Sequence, residues 1–161
     1  MAGKENTGIA YSDANLYFEK TIILCDIDKE DSYQTNIAKD IFNSLNMKIV
    51  YMNSDEHDVH ACYVSHMPHI VSFSLANSVL KQEQAENIVS LAGGGFRDVS
   101  RIAKSSPFMW VDIFKHNKDN LLKSIQDFEA ELQNAKTMIQ DENWEEMQKW
   151  MEDANKLHNI L

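Results

Sequence analysis

Two short segments concentrate the chemistry of this chain. Ser65-His66-Met67-Pro68-His69 sets two imidazoles three residues apart, and Gly93-Gly94-Gly95-Phe96-Arg97-Asp98-Val99-Ser100-Arg101 joins a glycine run to two guanidinium groups. Both arginines of the chain and three of its five glycines fall in the second segment, and four of its six histidines fall between His57 and His69. Arginine suits two-pronged recognition of a carboxylate, imidazole adds a hydrogen bond or a proton, and glycine lets backbone N–H groups approach a ligand closely. The combination reads as a site for an anion. Arg97 and Arg101, four apart, share a face if the segment is helical from Phe96; surface pairing with Asp98 or a nearby Glu remains an equally simple reading of the residues alone.

The histidines also admit a metal reading, since His57/His60 and His66/His69 are spaced i,i+3. Against it, a bend is expected between the two pairs and no closed Cys/His spacing occurs, so no metal is assigned.

The elements that must position these residues are largely helical. Lys20 to Ile27 contains Thr21-Ile22-Ile23-Leu24-Cys25, a β-branched apolar run typical of a buried parallel strand. An amphipathic stretch from about Asp31 to Asn46 and a second strand at Lys48-Ile49-Val50-Tyr51 complete one β-α-β unit. From Ser54 onward the pattern is helical. Ser54-Asp55-Glu56 has capping chemistry, and the helix is expected to bend at Met67-Pro68, which would leave His69 beside free N–H groups at a new helix start. Gln84 to Leu91 predicts a short helix ended by Gly93. Leu121, Ile125, Phe128, Leu132, Ala135 and Ile139, then Trp144, Met147, Met151, Ala154, Leu157 and Leu161, predict two antiparallel helices with long apolar stripes.

At 161 residues and a formal charge of −10, the chain can bury a substantial core but is ill-suited to a phosphate backbone. No nucleic-acid partner is expected. Cys25 and Cys62 lie in apolar surroundings without metal spacing, and neither a signal segment nor a membrane-length apolar run occurs, so a cytoplasmic protein that does not span a membrane is expected. No Gly-x-Gly-x-x-Gly follows a strand anywhere in the sequence.

The ordered motifs Ser65-His66-Met67-Pro68-His69, Gly93-Gly94-Gly95-Phe96-Arg97-Asp98-Val99-Ser100-Arg101-Ile102-Ala103 and Pro107-Phe108-Met109-Trp110 resemble those of prephenate dehydrogenases. Met1-Ala2-Gly3-Lys4-Glu5-Asn6-Thr7-Gly8 is similar to the end of that family's His-Pro-(Met/Ile)-Ala-Gly-x-Glu-x-(Ser/Thr)-Gly motif. The resemblance implies a mainly α fold: residues 54–161 as an all-helical substrate-binding and dimerisation domain of the 6-phosphogluconate-dehydrogenase C-terminal-like type, and residues 1–53 as the β-α-β end of a Rossmann-type nucleotide-binding domain. It implies the oxidative decarboxylation of prephenate to 4-hydroxyphenylpyruvate with NAD or NADP in the full-length enzyme, as part of tyrosine biosynthesis.

On the same resemblance, Arg101 takes the substrate-carboxylate position, His69 contacts substrate with His66 as its companion, Gly94 and Glu5 belong to the substrate site, and Asp98 and Trp110 approach the site of the opposite subunit of a homodimer formed through helices 117–161. Arg97 and His57 fall at structural positions, and Lys4 stands where the family has Thr or Ser. The family's catalytic histidine would precede Met1, so the expectation is a truncated chain that binds no cofactor and is inactive alone. Arogenate dehydrogenase is the alternative within the same chemistry; a non-catalytic helical interaction module is the alternative outside it.

Overall fold

The computed structural model describes residues 8–27 and 32–160. After a 3₁₀ turn at Ile9–Tyr11, β1 (Thr21–Cys25) and β2 (Lys48–Met52) pair in parallel with Thr21 opposite Lys48 and Cys25 opposite Met52, joined through α1 (Tyr33–Ser44). Ser32 starts α1 by accepting the Thr35 N–H on its hydroxyl at 3.1 Å. The expected strands and crossover helix are present, but no residue of β1 or β2 is buried. Two strands and one helix cannot cover both faces of a sheet, so Ile37, Ile41 and Tyr51 stay more than a third exposed.

Helices follow. α2 (Ser54–Ala61) is capped by Asn53, whose Oδ1 accepts the Glu56 N–H at 2.7 Å, one residue before the expected cap. Asparagine caps as well as serine does. Ser54 becomes the first helical residue, and its N–H bonds the Asp26 carboxylate at the end of β1 at 3.0 Å. Hydrogen bonding from Ser54, from its side chain first and its N–H second, holds the Asp26 carboxyl below the usual carboxylate range.

The helix does not stop at Met67-Pro68. α2 passes through a π turn at Cys62–His66 into α3 (Met67–Leu80), and His66 and Met67 both keep helical φ/ψ. In a regular helix the Pro68 ring would collide with the carbonyl of Val64. Here Met67 N–H reaches back five residues to Cys62 O, and the wider turn accommodates the ring. His69 therefore lies inside continuous helix, beside no separate helix start.

α4 (Ala85–Ser90) is shorter than expected, and α5 (Gly94–Arg101) begins two residues before Phe96. A 3₁₀ turn at Ile102–Lys104 leads to α6 (Pro107–His116), opened by proline at its first position, where the missing N–H costs nothing. α7 (Lys118–Gln140) and α8 (Trp144–Asn155) form the expected hairpin, with the Trp150 indole donating to Glu131 at 2.8 Å. A 3₁₀ turn at Lys156–Asn159 follows. The core lies where the π turn, α3, α6 and α7 meet, around Cys62, Ser72, Trp110, Leu121 and Ser124. No described helix is long and apolar enough to cross a membrane.

Candidate functional site

His69 projects from the first turns of α3. Its Nδ1 lies 2.8 Å from the Ser65 carbonyl oxygen, which can only accept, so Nδ1 carries the proton and Nε2 of the neutral ring keeps a free lone pair. The ring stacks on Trp110 with centroids 3.6 Å apart and planes 26° apart. Trp110 sits one helical turn from Phe114, which tilts against it at 5.4 Å. Trp110 is buried, and its indole N–H has no partner among the described residues.

His66 meets the edge of the same indole at 6.2 Å. Its Nδ1 lies 3.5 Å from Cys62 Sγ and 3.4 Å from the side-chain amide nitrogen of Asn117. Burial holds the His66 imidazole below its ordinary range; Asp58 opposes that shift, while His69 and His57 add to it. Burial pushes the Cys62 thiol up, and the charge of Asp58 pushes it further. A neutral imidazole and a protonated thiol therefore face one another. His66 lines a cleft of about 450 Å³ with His57, Asp58, Asp112, His116 and Asn117. Among the described residues no group of three or more His, Cys, Asp or Glu side chains converges as metal ligands would.

The second segment forms α5. Gly93 is its cap, and among the described residues a Cβ on Gly93, Gly94 or Gly95 would meet nothing within 4 Å, so packing against them does not demand glycine there. Arg97 donates from Nε to the Ala92 carbonyl at 3.2 Å and so ties down the turn that precedes the helix. Arg101, the last residue of α5, is exposed and engaged within the chain; with Arg97, Lys104 and Asp98 it lines a cleft of about 400 Å³. Three cations against one carboxylate around one cleft leave a local excess of positive charge in a chain of charge −10, the setting an anion needs.

α3 packs on both α5 and the 3₁₀ turn after it, which makes the two motif segments neighbours. His66 and Arg101 nevertheless line separate clefts, and His69 is held between Ser65 and Trp110. Glu5 and Lys4 lie outside the described residues. Asn117, Cys62 and the Ser65 carbonyl were not singled out from the sequence. The i,i+4 pairs Cys62/His66 and Ser65/His69 were visible in it; the reach of Asn117 across 51 residues to His66 was not.

Residues 53–153 match the dimerization domain of prephenate dehydrogenase, and residues 1–51 match its nucleotide-binding domain. The chain belongs to the prephenate dehydrogenase family. A prephenate dehydrogenase of Bacillus subtilis (strain 168) is 34% identical over all of this chain and 44% of its own length. The crystal structure of prephenate dehydrogenase from A. aeolicus in complex with hydroxyphenyl propionate and NAD+ superposes with a TM-score of 0.89 at 36% identity, covering 100% of this chain and 57% of that one. Synechocystis arogenate dehydrogenase follows with a TM-score of 0.83 at 26% identity, covering 98% and 58%. The chain thus spans about half the length of the prephenate dehydrogenase relatives it matches.

Proposed function

We propose that this chain supplies the substrate-holding and dimerisation half of a prephenate dehydrogenase of the tyrosine route, working in the cytoplasm. Residues 54–161 form the helical substrate domain, and residues 1–53 the end of the nucleotide domain. One observation carries the reading: α3, bearing His69, packs on α5, bearing Arg101, and Arg101 stands in a cationic cleft of an acidic chain. Arg101 holds a substrate carboxylate, His69 offers Nε2 to a hydroxyl or water, and His66, Gly94 and Glu5 complete the surroundings. Asp98 approaches the site of the opposite subunit, whereas Trp110, expected to do the same, is buried against His69 of its own chain and backs that histidine within one subunit.

In the reaction the ring hydroxyl of prephenate loses its proton to a base, hydride leaves the ring carbon, the ring carboxylate departs as carbon dioxide, and the phenolate oxygen left by aromatisation takes a proton back, giving 4-hydroxyphenylpyruvate. NAD or NADP, when bound, accepts the hydride. No residue of this chain is assigned as the base, and residues 1–161 carry no Gly-x-Gly-x-x-Gly turn to cradle a pyrophosphate; their part is to bind and orient. Joined to a complete dinucleotide-binding domain, residues 1–161 should support prephenate-dependent reduction of NAD or NADP, whereas residues 1–161 alone should not. Turnover by the 161 residues alone, or none by the joined protein with either prephenate or arogenate, would overturn the reading. Arogenate is the second substrate to test, because an arogenate dehydrogenase shares this fold. It differs from prephenate by an amino group in place of the side-chain keto group.

Dimerisation follows from the surface. Leu132, Trp144 and Leu157 are 58–60% exposed, and an apolar groove of about 430 Å³ between α3 and α7 is lined by Met67, Ile70, Leu75, Ile125, Phe128 and Leu132. Apolar surface on this scale marks an interface, and a two-fold dimer is its commonest solution. Light scattering should give twice the 18.5 kDa chain mass, and a persistent monomer at micromolar concentration would count against a dimer through helices 117–161.

A further inference from the structure

Asn117, at the junction of α6 and α7, is buried, and its side-chain amide nitrogen reaches three groups: the Asp58 carbonyl oxygen at 2.7 Å, Cys62 Sγ at 3.1 Å and His66 Nδ1 at 3.4 Å. Its Oδ1 accepts from the Asn120 amide at 2.9 Å. The orientation of the Asn117 amide is fixed by chemistry, because a backbone carbonyl can only accept and must therefore face nitrogen. With one N–H on Asp58, the other lies between the thiol and the imidazole. Cys62 Sγ is itself 3.5 Å from His66 Nδ1 and can give its S–H to that ring nitrogen. Both neighbours of His66 Nδ1 are thus donors, and no acceptor other than the sulfur lies against it among the contacts described.

We propose that Asn117 is a positioning residue that holds His66 as the tautomer with Nδ1 bare and Nε2 protonated. The consequence is a division of labour between the two motif histidines. His69 gives its Nδ1 proton to the Ser65 carbonyl and presents an acceptor, whereas His66 receives at Nδ1 and presents a donor. A substrate bearing both an acceptor and a hydroxyl donor would be read by the pair in one orientation. This use of the pair rests on the substrate reading above; the tautomer itself does not.

The test is nitrogen-15 NMR of the imidazole rings in the 161-residue chain, with His66 assigned from the resonances lost in His66→Gln. In the parent chain His66 should show an unprotonated Nδ1 and a protonated Nε2, and His69 the reverse. Asn117→Asp keeps the shape but replaces the donor with an acceptor, so the His66 proton should move to Nδ1 or the ring should become doubly protonated, with His69 unchanged. If His66 in the parent chain carries its proton on Nδ1, or keeps the Nε2–H form in a folded Asn117→Asp chain, the proposal fails. Should Asn117→Asp not fold, the parent spectrum alone still decides it. Because no substrate enters the measurement, failure here is distinct from failure to turn over prephenate.

Discussion

Trp110→Ala should destabilise the chain by about 3–5 kcal/mol, the range for emptying a buried aromatic side chain. The indole is 6% exposed and is packed against His69, His66 and Phe114, so the vacated space sits where the π turn, α3 and α6 meet. Relaxation is limited there, because filling the space would require α6 to move. Trp110→Phe should lose much less. The indole N–H is buried without a partner among the described residues, so phenylalanine forfeits volume but no hydrogen bond. Urea unfolding of the three proteins reads the differences from their midpoints at a shared slope. An alanine variant within about 1 kcal/mol of the parent would show that the stack contributes no more than an ordinary surface contact. The same series separates the two settings of this residue: a loss that shrinks on dilution, as the parent dimer itself dissociates, belongs to the dimer, and a loss that persists in the monomer belongs to packing within one chain.

Arg101→Ala, in a protein that joins this chain to a complete dinucleotide-binding domain, should lower kcat/KM for prephenate by about 1.5–3 kcal/mol, on the order of ten- to a hundredfold, as expected for losing a hydrogen bond to a charged group. Cofactor affinity should hold. Arg101→Lys should recover only part of the loss, since an ammonium cannot reproduce the planar fork of guanidinium. Arg101 is already engaged within the chain, so thermal unfolding belongs beside the kinetics. If the alanine variant loses stability while its folded fraction keeps the parent kcat/KM, Arg101 is an ion-pair partner rather than a carboxylate clamp.

The local pattern of the sequence carried much of the fold. The β-branched run at Thr21–Cys25 and the three-four alternation from Leu121 to Ile139 each encode one element in neighbouring residues, and both elements stand where that periodicity puts them. Burial of the strands did not follow, because an apolar run records what a strand can bury and not what lies above it. The cap moved from Ser54 to Asn53, as two good capping residues in succession allow. The helix ran through Met67-Pro68 because a proline is tolerated wherever the backbone ladder opens, and whether it opens is decided by the surroundings of Cys62 and His66. Those surroundings include Asn117, contributed from the far side of the core. Single-chain periodicity carries no trace of a side-chain amide 51 residues away, so the motif histidines were legible as a pair while the proton each one carries was not.

The π turn at Cys62–His66 also makes this helix a counter of residues. Each α-helical residue turns the chain by about 100°, and a turn that bonds five back holds one residue more than a regular turn. Deleting any one residue between Cys62 and His66 would draw the ladder toward ordinary α-helix and bring the Pro68 ring against the carbonyl four residues before it. Because the wide turn already absorbs the extra residue, the segments on either side would keep nearly the same rotation about the axis. The turn itself would change, and Cys62 and His66 would lose the spacing at which both meet Asn117. In this stretch a single in-frame codon loss is a graver lesion than most substitutions, because spacing, and not only side-chain type, brings an amide, a thiol and an imidazole to one point.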